Sequence, residues 1–452
     1  MTQHQLYSNK KTAITIVFVA GAIFIGFFFY YLMAGFKEKL DTYLVISEFV
    51  SALLYGVILI IITKSSKGFP RSPFYLLVFI YSLLLALILR WLFIEYTGEL
   101  FQEAGDSYTY DEVARASVLM NKSLGNHLAA AERELVSGSL SIDDYGFNVI
   151  VYWVYRAFGV DFGRWMMLFF NAICIVVSSY YLSRSFKLLN ISPVISSICV
   201  SFFAFFTFFP VTASVGLKEN FFVMIITMAL FYTLIFKSSH RIKYFIFAFL
   251  CIFCSFCFRL PVGVILLLTL FACVVINQKN HKKIILLCLI GLLGVFLFLG
   301  VVFQSIFGIS LEDVLTVSEN RIGEDNKAGW YIQFLSAFCG PFPNYSRAVQ
   351  YGIISSFALQ LKCLLNFFAL YAIYTILRRG DYRYYWIVLF FIMGMVMVSV
   401  AAVSLDMRYH VTFFPALILL TGYGLEKIES NKLLFALYSI FLVAIIFVYN
   451  SR

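Results

Sequence analysis

The sequence predicts an all-α polytopic membrane protein, with about 13 transmembrane helices and interfacial helices in a large periplasmic loop. Three observations carry that expectation. Of the 452 residues, 62% are hydrophobic and 19% aromatic, a more apolar composition than a soluble core uses. Apolar runs of about 20 residues, each long enough to cross a bilayer, recur from residue 12 to residue 449. The runs lack the alternation of barrel strands, and lipid satisfies no backbone polar group, so the spans are expected as helices.

The first run follows Lys10 and Lys11 and reaches about Met33 without an A-x-A-like cleavage site, which reads as a retained helix and not a signal peptide. Further spans are expected at 42 to 63, 73 to 94, 162 to 182, 191 to 209, 219 to 236, 244 to 258, 262 to 276, 283 to 307, 352 to 377, 385 to 404, 411 to 425 and 433 to 449. Short basic loops mark the cytoplasmic side. They recur in phase: "KSSKGFPR" at 64 to 71, "SRSFK" at 183 to 187, "KSSHRIK" at 237 to 243, "QKNHKK" at 278 to 283 and "RRGDYR" at 378 to 383. Each consecutive pair must then enclose an even number of crossings. Between 244 and 277 parity demands two short helices, and "FRLPVG" at 258 to 263 supplies the turn, because Pro261 removes a helix hydrogen bond and Arg259 is costly in lipid.

The chain therefore divides into three N-terminal transmembrane helices (1–94), a periplasmic acidic loop with two interfacial helices (95–161), six transmembrane helices (162–307), a periplasmic loop (308–351) and the C-terminal transmembrane helices (352–452). The formal net charge of +10 resides largely in the loops assigned to the cytoplasm, so nucleic acid is not expected as a partner. Cys251, Cys254 and Cys257 form a stripe inside an apolar span and read as packing residues, with no His or carboxylate nearby in sequence to complete a zinc site.

Against a background of 13% charged residues, Glu95, Glu99, Glu103, Asp106, Asp111 and Glu112 crowd around "ELFQEAGDSYTYDEVARA" at 99 to 116. From Val113 to Leu135, apolar residues recur in steps of three and four, which predicts one amphipathic surface helix, and "FNVIVYWVYRAF" at 147 to 158 predicts a second. Thr109 and Glu112 match a capping box, and Asp111 falls in the first turn where the helix dipole favours it. Asp106 is left over. It is either an ordinary turn aspartate or a base or metal ligand, with Glu103 as the only evident second ligand. Lys218, Arg259 and Arg408 each stand at the outward end of an expected span, and Lys362 lies inside one. Each can snorkel or pair locally, Lys218 with Glu219 and Arg408 with Asp406. Together, cations around a membrane-level cavity suit the phosphate of a lipid headgroup. In 308–351, Trp330, Tyr331, Phe342 and Tyr345 offer rings at interfacial depth, either as an aromatic belt or as faces for sugars.

The order of these features resembles the GT-C superfamily, multispanning glycosyltransferases that use polyprenyl-phosphate or diphosphate sugars. The likeness runs from 95 to about 425. It rests on "GDSYTYDEVA", on the Lys-Glu opening "SVGLKENFFVMIITMALFYTL", on the Arg-x-Pro hairpin "FRLPVGVILLL" and on Arg-Tyr in "MRYHVTFFPALILLTGYGL". The acidic loop here follows the third span where the family's follows the first, and Asp106 is followed by Ser107 and Tyr108 with no clean D-x-D, so a divalent cation stays open. The resemblance implies a bacterial inner-membrane enzyme that takes a polyprenyl-linked sugar donor and a glycan or lipid-linked acceptor, in surface-polysaccharide assembly. Asp106 would be the catalytic base. Lys218, Glu219, Arg259, Arg408, His410, Tyr110 and Trp330 would line the substrate site. The rival from another class is a lipid-linked oligosaccharide flippase, against which stand the long outward loops and the lack of an internal repeat.

Overall fold

A computed structural model describes residues 69–100, 106–136, 145–275, 329–343, 352–428 and 432–450. The spans expected at 12 to 33, 42 to 63 and 283 to 307 lie outside them, as do Glu103 and Tyr345. All regular structure among the described residues is helical. In chain order the helices are α1 (Ser72–Thr97), α2 (Asp106–Leu119), α3 (Leu124–Val136), α4 (Tyr145–Phe158), α5 (Val160–Leu188), α6 (Pro193–Ala204), α7 (Phe208–Val215) and α8 (Glu219–Ser239). They continue with α9 (Ile242–Phe256), α10 (Leu260–Val275), α11 (Trp330–Cys339), α12 (Gly352–Arg379), α13 (Tyr385–Val400), α14 (Met407–Val411), α15 (Phe414–Lys427) and α16 (Lys432–Asn450).

Five segments among the described residues are long and apolar enough to cross a membrane: Ser72–Glu95, Val160–Leu188, Pro193–Val215, Glu219–Ser239 and Ala358–Arg379. Shorter apolar helices at Ile242–Phe256, Leu260–Val274, Tyr385–Val400 and Leu433–Tyr449 join them. The chain is thus an all-α membrane protein. Its centre is the α6–α7 segment, which is 94% buried, apolar on every side and enclosed by α1, α5 and α15. One span over 191 to 209 was expected there, and the structure instead breaks it at 205–207 and carries it on to Val215. Pro210 has no N–H to return to the carbonyl of Phe206, so the helix restarts with the proline in its first turn. Phe206 fills the break by stacking on Phe414 of α15 at 4.3 Å.

Several hydroxyls in this bundle are answered locally. The hydroxyls of Ser178, Ser179, Ser185 and Ser201 each donate to the carbonyl four residues earlier, so none needs water. Small residues set the closest approaches. A Cβ on Gly424 of α15 would stand 2.2 Å from the carbonyl oxygen of Phe368 on α12, and one on Gly263 of α10 would stand 2.7 Å from the ring of Phe256 on α9.

The acidic loop is three helices and not the two expected. The surface helix read through from Val113 to Leu135 stops at Leu119, because Asn121 takes a left-handed φ of 51° and the N–H of Lys122 closes back on the carbonyl of Ser117 at 2.8 Å. Ser123 then caps α3. The start differs as well: α2 includes Asp106, so Thr109 and Glu112 lie within the helix and the capping box is not its beginning. Asp111 has another task than the helix dipole. It takes a two-pronged ion pair from Arg164 of α5 at 2.8 and 2.5 Å, and a hydrogen bond from the hydroxyl of Tyr155 on α4 at 2.6 Å. That buried pair ties the loop helices to the bundle.

The two ends of the bundle differ in kind. At one end the turns α8–α9 and α12–α13 carry the basic loops, and Lys237 donates to the carbonyl of Tyr382 at 3.5 Å across them. The other end gathers the beginnings of α2 and α8, the α9–α10 turn and α14.

Candidate functional site

At that second end the local sequence builds a rigid start for α8. Gly216, at a φ of 82°, closes α7 in the left-handed region open to glycine at no cost. Lys218 is the N-cap position of α8 and Glu219 its first residue. The side-chain amide of Asn220 donates to the carbonyl of Phe209 at 3.0 Å and accepts from the hydroxyl of Thr212 at 3.1 Å, which pins α8 against α7. Glu219 is thereby held in place at 1% exposure, where the positive end of the helix favours its charge.

Arg259 comes from the α9–α10 turn. Its N–H bonds the carbonyl of Ser255 at 2.9 Å, and the N–H of Gly146 at the start of α4 bonds the carbonyl of Cys257 at 2.9 Å. A Cβ on Gly146 would lie 2.7 Å from the ring of Phe258, so only glycine lets α4 close on this turn. Phe258 stacks on Phe222 of α8 at 5.7 Å, setting the hairpin beside the start of α8. Arg408 comes from α14, whose N-cap is Asp406: the carboxylate accepts from the backbone N–H of Arg408 at 2.8 Å. This is a backbone cap and not the side-chain pairing that the sequence allowed.

The guanidiniums converge on Glu219. Nη2 of Arg259 and Nε of Arg408 both donate to the same oxygen, Oε1, each at 3.2 Å. Oε2 of Glu219 is buried without a hydrogen-bond partner. The plane of Arg259 also lies 4.5 Å from the ring centre of Tyr409, a cation–π contact. The tip of Arg408 reaches outward: Nη2 donates to Oδ2 of Asp106 at 2.5 Å. Asp106, 54% exposed, forms the lip of the cluster. Tyr110 stands one turn behind it, buried with its ring edge-on to Phe147 at 5.1 Å.

The electrostatics follow from this crowding. Partial burial pushes the Asp106 carboxyl up, but the hydrogen bond and charge of Arg408, with the charges of Lys218 and Arg259, outweigh it and hold the group below the usual carboxylate range. Burial, reinforced by Asp106 and Glu219, raises the Tyr110 phenol, which stays protonated. Burial raises the Asp406 carboxyl despite Arg408.

Six of the eight residues proposed from sequence, Asp106, Tyr110, Lys218, Glu219, Arg259 and Arg408, therefore meet at one place. Two do not. His410 lies inside the bundle, fully buried with Nε2 2.7 Å from the carbonyl oxygen of Ser404, on the far side of α14 from the cluster. Its two-residue separation from Arg408 turns it inward on a helix. Trp330 opens α11, packed on α12 and α13, and none of the cluster's ion pairs reaches it. Lys362 is also interior, donating to the carbonyl of Gly340 beside Asn366. The contribution that sequence reading missed is Tyr409, whose ring faces Arg259 across 150 residues of chain.

As to a metal, no group of three or more His, Cys, Asp or Glu side chains comes together among the described residues. Asp106 and Glu219 each answer to a guanidinium, a donor set that neutralises itself. No protein family, curated protein or solved structure matches the chain.

Proposed function

We propose that this chain is a glycosyltransferase of about 13 spans in a bacterial inner membrane, acting at the periplasmic face in surface-polysaccharide assembly. It would move a sugar or glycan from a polyprenyl phosphate or diphosphate carrier to an acceptor hydroxyl. The observation that carries this reading is the four-part cluster itself. One buried carboxylate, Glu219, holds two guanidiniums side by side, and one of them presents its terminal Nη2 to a half-exposed carboxylate at the end of a membrane bundle. Arginine forks match phosphate oxygens two at a time, and a lipid-linked phosphate arrives at this depth.

In the proposed step the bond between the sugar's anomeric carbon and the carrier's phosphate oxygen breaks, and a bond from the acceptor oxygen to that carbon forms. Asp106 takes the acceptor's proton. The polyprenyl phosphate or diphosphate leaves with the bonding electron pair, and its added charge falls on Arg408 and Arg259, with Lys218 behind them. Glu219 sets the two arginines and does not touch the reacting atoms.

The test is transfer in membranes supplied with a radiolabelled polyprenyl-linked sugar pool, with and without this protein. Asp106→Asn should reach the membrane and bind the donor yet lose transfer by about a hundredfold or more, the scale of one positioned base. Near-normal turnover by Asp106→Asn would remove it as the base. Donor binding by the native chain with carrier movement across the bilayer and no transfer would replace the transferase with a flippase.

A further inference from the structure

In the reading above, Asp106 must accept a proton, yet its geometry works against that. A carboxylate held by Arg408, within reach of Lys218 and Arg259, binds a proton less readily than a free one. The arginine that disarms it is the same one expected to hold the donor. We propose that Asp106 and the carrier's phosphate compete for Nη2 of Arg408, so that donor binding itself releases Asp106 to act as the base. This inference rests on the transferase reading and specifies how its site is switched on.

The two donors of Arg408, Nε and Nη2, have different fates. Its Nε lies against Glu219, which is buried and fixed by the start of α8, so this half of the guanidinium does not leave. Its Nη2 faces Asp106 at the exposed lip, where a pair with a half-exposed carboxylate is worth little and exchanges readily. A phosphate oxygen is the same kind of acceptor as a carboxylate oxygen and brings more charge and more lone pairs to the same fork. Three cations act on the spot where Asp106 sits, a field that favours a phosphate or diphosphate over a single carboxylate. Glu219 keeps its second oxygen, buried and unpartnered, on the inner side of the cluster.

Two consequences follow. The base is disarmed until the donor is bound, which orders the reaction with the donor before the acceptor. Removing the carboxylate removes a competitor, so a variant that destroys turnover should bind phosphate better. A carboxylate with only a structural role does not give that result.

The experiment is equilibrium binding to the purified full-length protein in lipid nanodiscs, with three probes: a long-chain polyprenyl diphosphate, inorganic diphosphate and the polyprenol without phosphate. Asp106→Asn is expected to bind the polyprenyl diphosphate about fivefold more tightly than the native chain, the scale of one partly exposed ion pair, and to bind the polyprenol unchanged. Tightening with inorganic diphosphate as well assigns the effect to the headgroup, and tightening with the lipid alone assigns it to the anchored headgroup. Asp106→Ser removes the carboxylate without leaving an amide and should tighten binding in the same way. In an Arg408→Gln background neither substitution should have any effect. Equal or weaker binding of both phosphate probes by Asp106→Asn and Asp106→Ser overturns the competition, as does equal tightening with Arg408 already removed. If the variants bind more tightly but the native chain transfers no sugar, the competition stands and the transferase reading falls. If the native chain transfers sugar and the variants do not tighten, the reverse holds.

Discussion

Glu219 is the residue on which the cluster depends. A carboxylate at 1% exposure is tolerated because two guanidiniums share one of its oxygens and the start of α8 lies beneath it. Removing its charge would leave two guanidiniums converging on a neutral amide. Glu219→Gln is therefore expected to lower stability by about 2 kcal/mol or more, read as a lower unfolding temperature in detergent, and to raise KM for the donor more than it lowers kcat. Unchanged KM and stability would show that the arginines are placed by something else. Arg259→Lys keeps the charge but loses both the fork and the planar face set against Tyr409. Transfer should fall by at least about tenfold at normal protein level, and full activity in this variant would exclude phosphate binding by Arg259.

At the scale of elements, the three loop helices are held by two polar contacts of different character. Asp111 joins α2 to α5 through Arg164 and to α4 through Tyr155. It is nearly buried, so Asp111→Asn should cost about 1 to 3 kcal/mol, more than a surface charge at a helix start is worth. Limited proteolysis between α2 and α4 should accelerate accordingly. His127 of α3 is fully buried, stacked on Tyr152 at 4.7 Å, with its ring nitrogens 3.0 Å from Ser117 Oγ and 3.3 Å from the carbonyl of Asn148. Burial lowers its proton affinity below the ordinary value near 6.5, helped by the charge of Lys122 and opposed by the contact to Asn148. The unfolded ring then binds a proton more readily than the folded one, so the contribution is complete above about pH 6.5 and is lost as pH falls through the lower folded value. Hydrogen exchange in α3 should quicken on acidification, and His127→Phe, which keeps a ring there, should abolish that dependence. The boundaries of these helices were poorly legible for a local reason. The apolar steps run on past Leu119, and what ends the helix is a left-handed Asn121, a conformation that composition and period do not announce.

For the whole molecule, α8 alone separates the cluster from the basic turns by about 30 Å, since its 21 residues rise about 1.5 Å each. A bilayer therefore fits between the two ends. Single cysteines at Met120 and at Ser239, in a background without native cysteines, should react oppositely with an impermeant reagent in intact cells: Met120 labelled, Ser239 protected. The reverse result would overturn the proposed orientation.

The bundle was written in the sequence because a membrane constrains each segment separately. A run such as 219 to 236 must satisfy its own backbone in lipid, and its length and flanking charges suffice to place it. The site could only be guessed there as a set of unusual charges on a common side. Which of them meet was decided by tertiary packing, because Asp106 and Arg408 stand 302 residues apart and Glu219 and Arg408 stand 189 apart. Local pairing with Asp406 looked equally open, and only the turn of α14 sends the guanidinium outward to Asp106 while His410, two residues on, faces the core. Spacing along the chain records what each helix needs from lipid, but a charge takes its partner from whichever helix lies beside it.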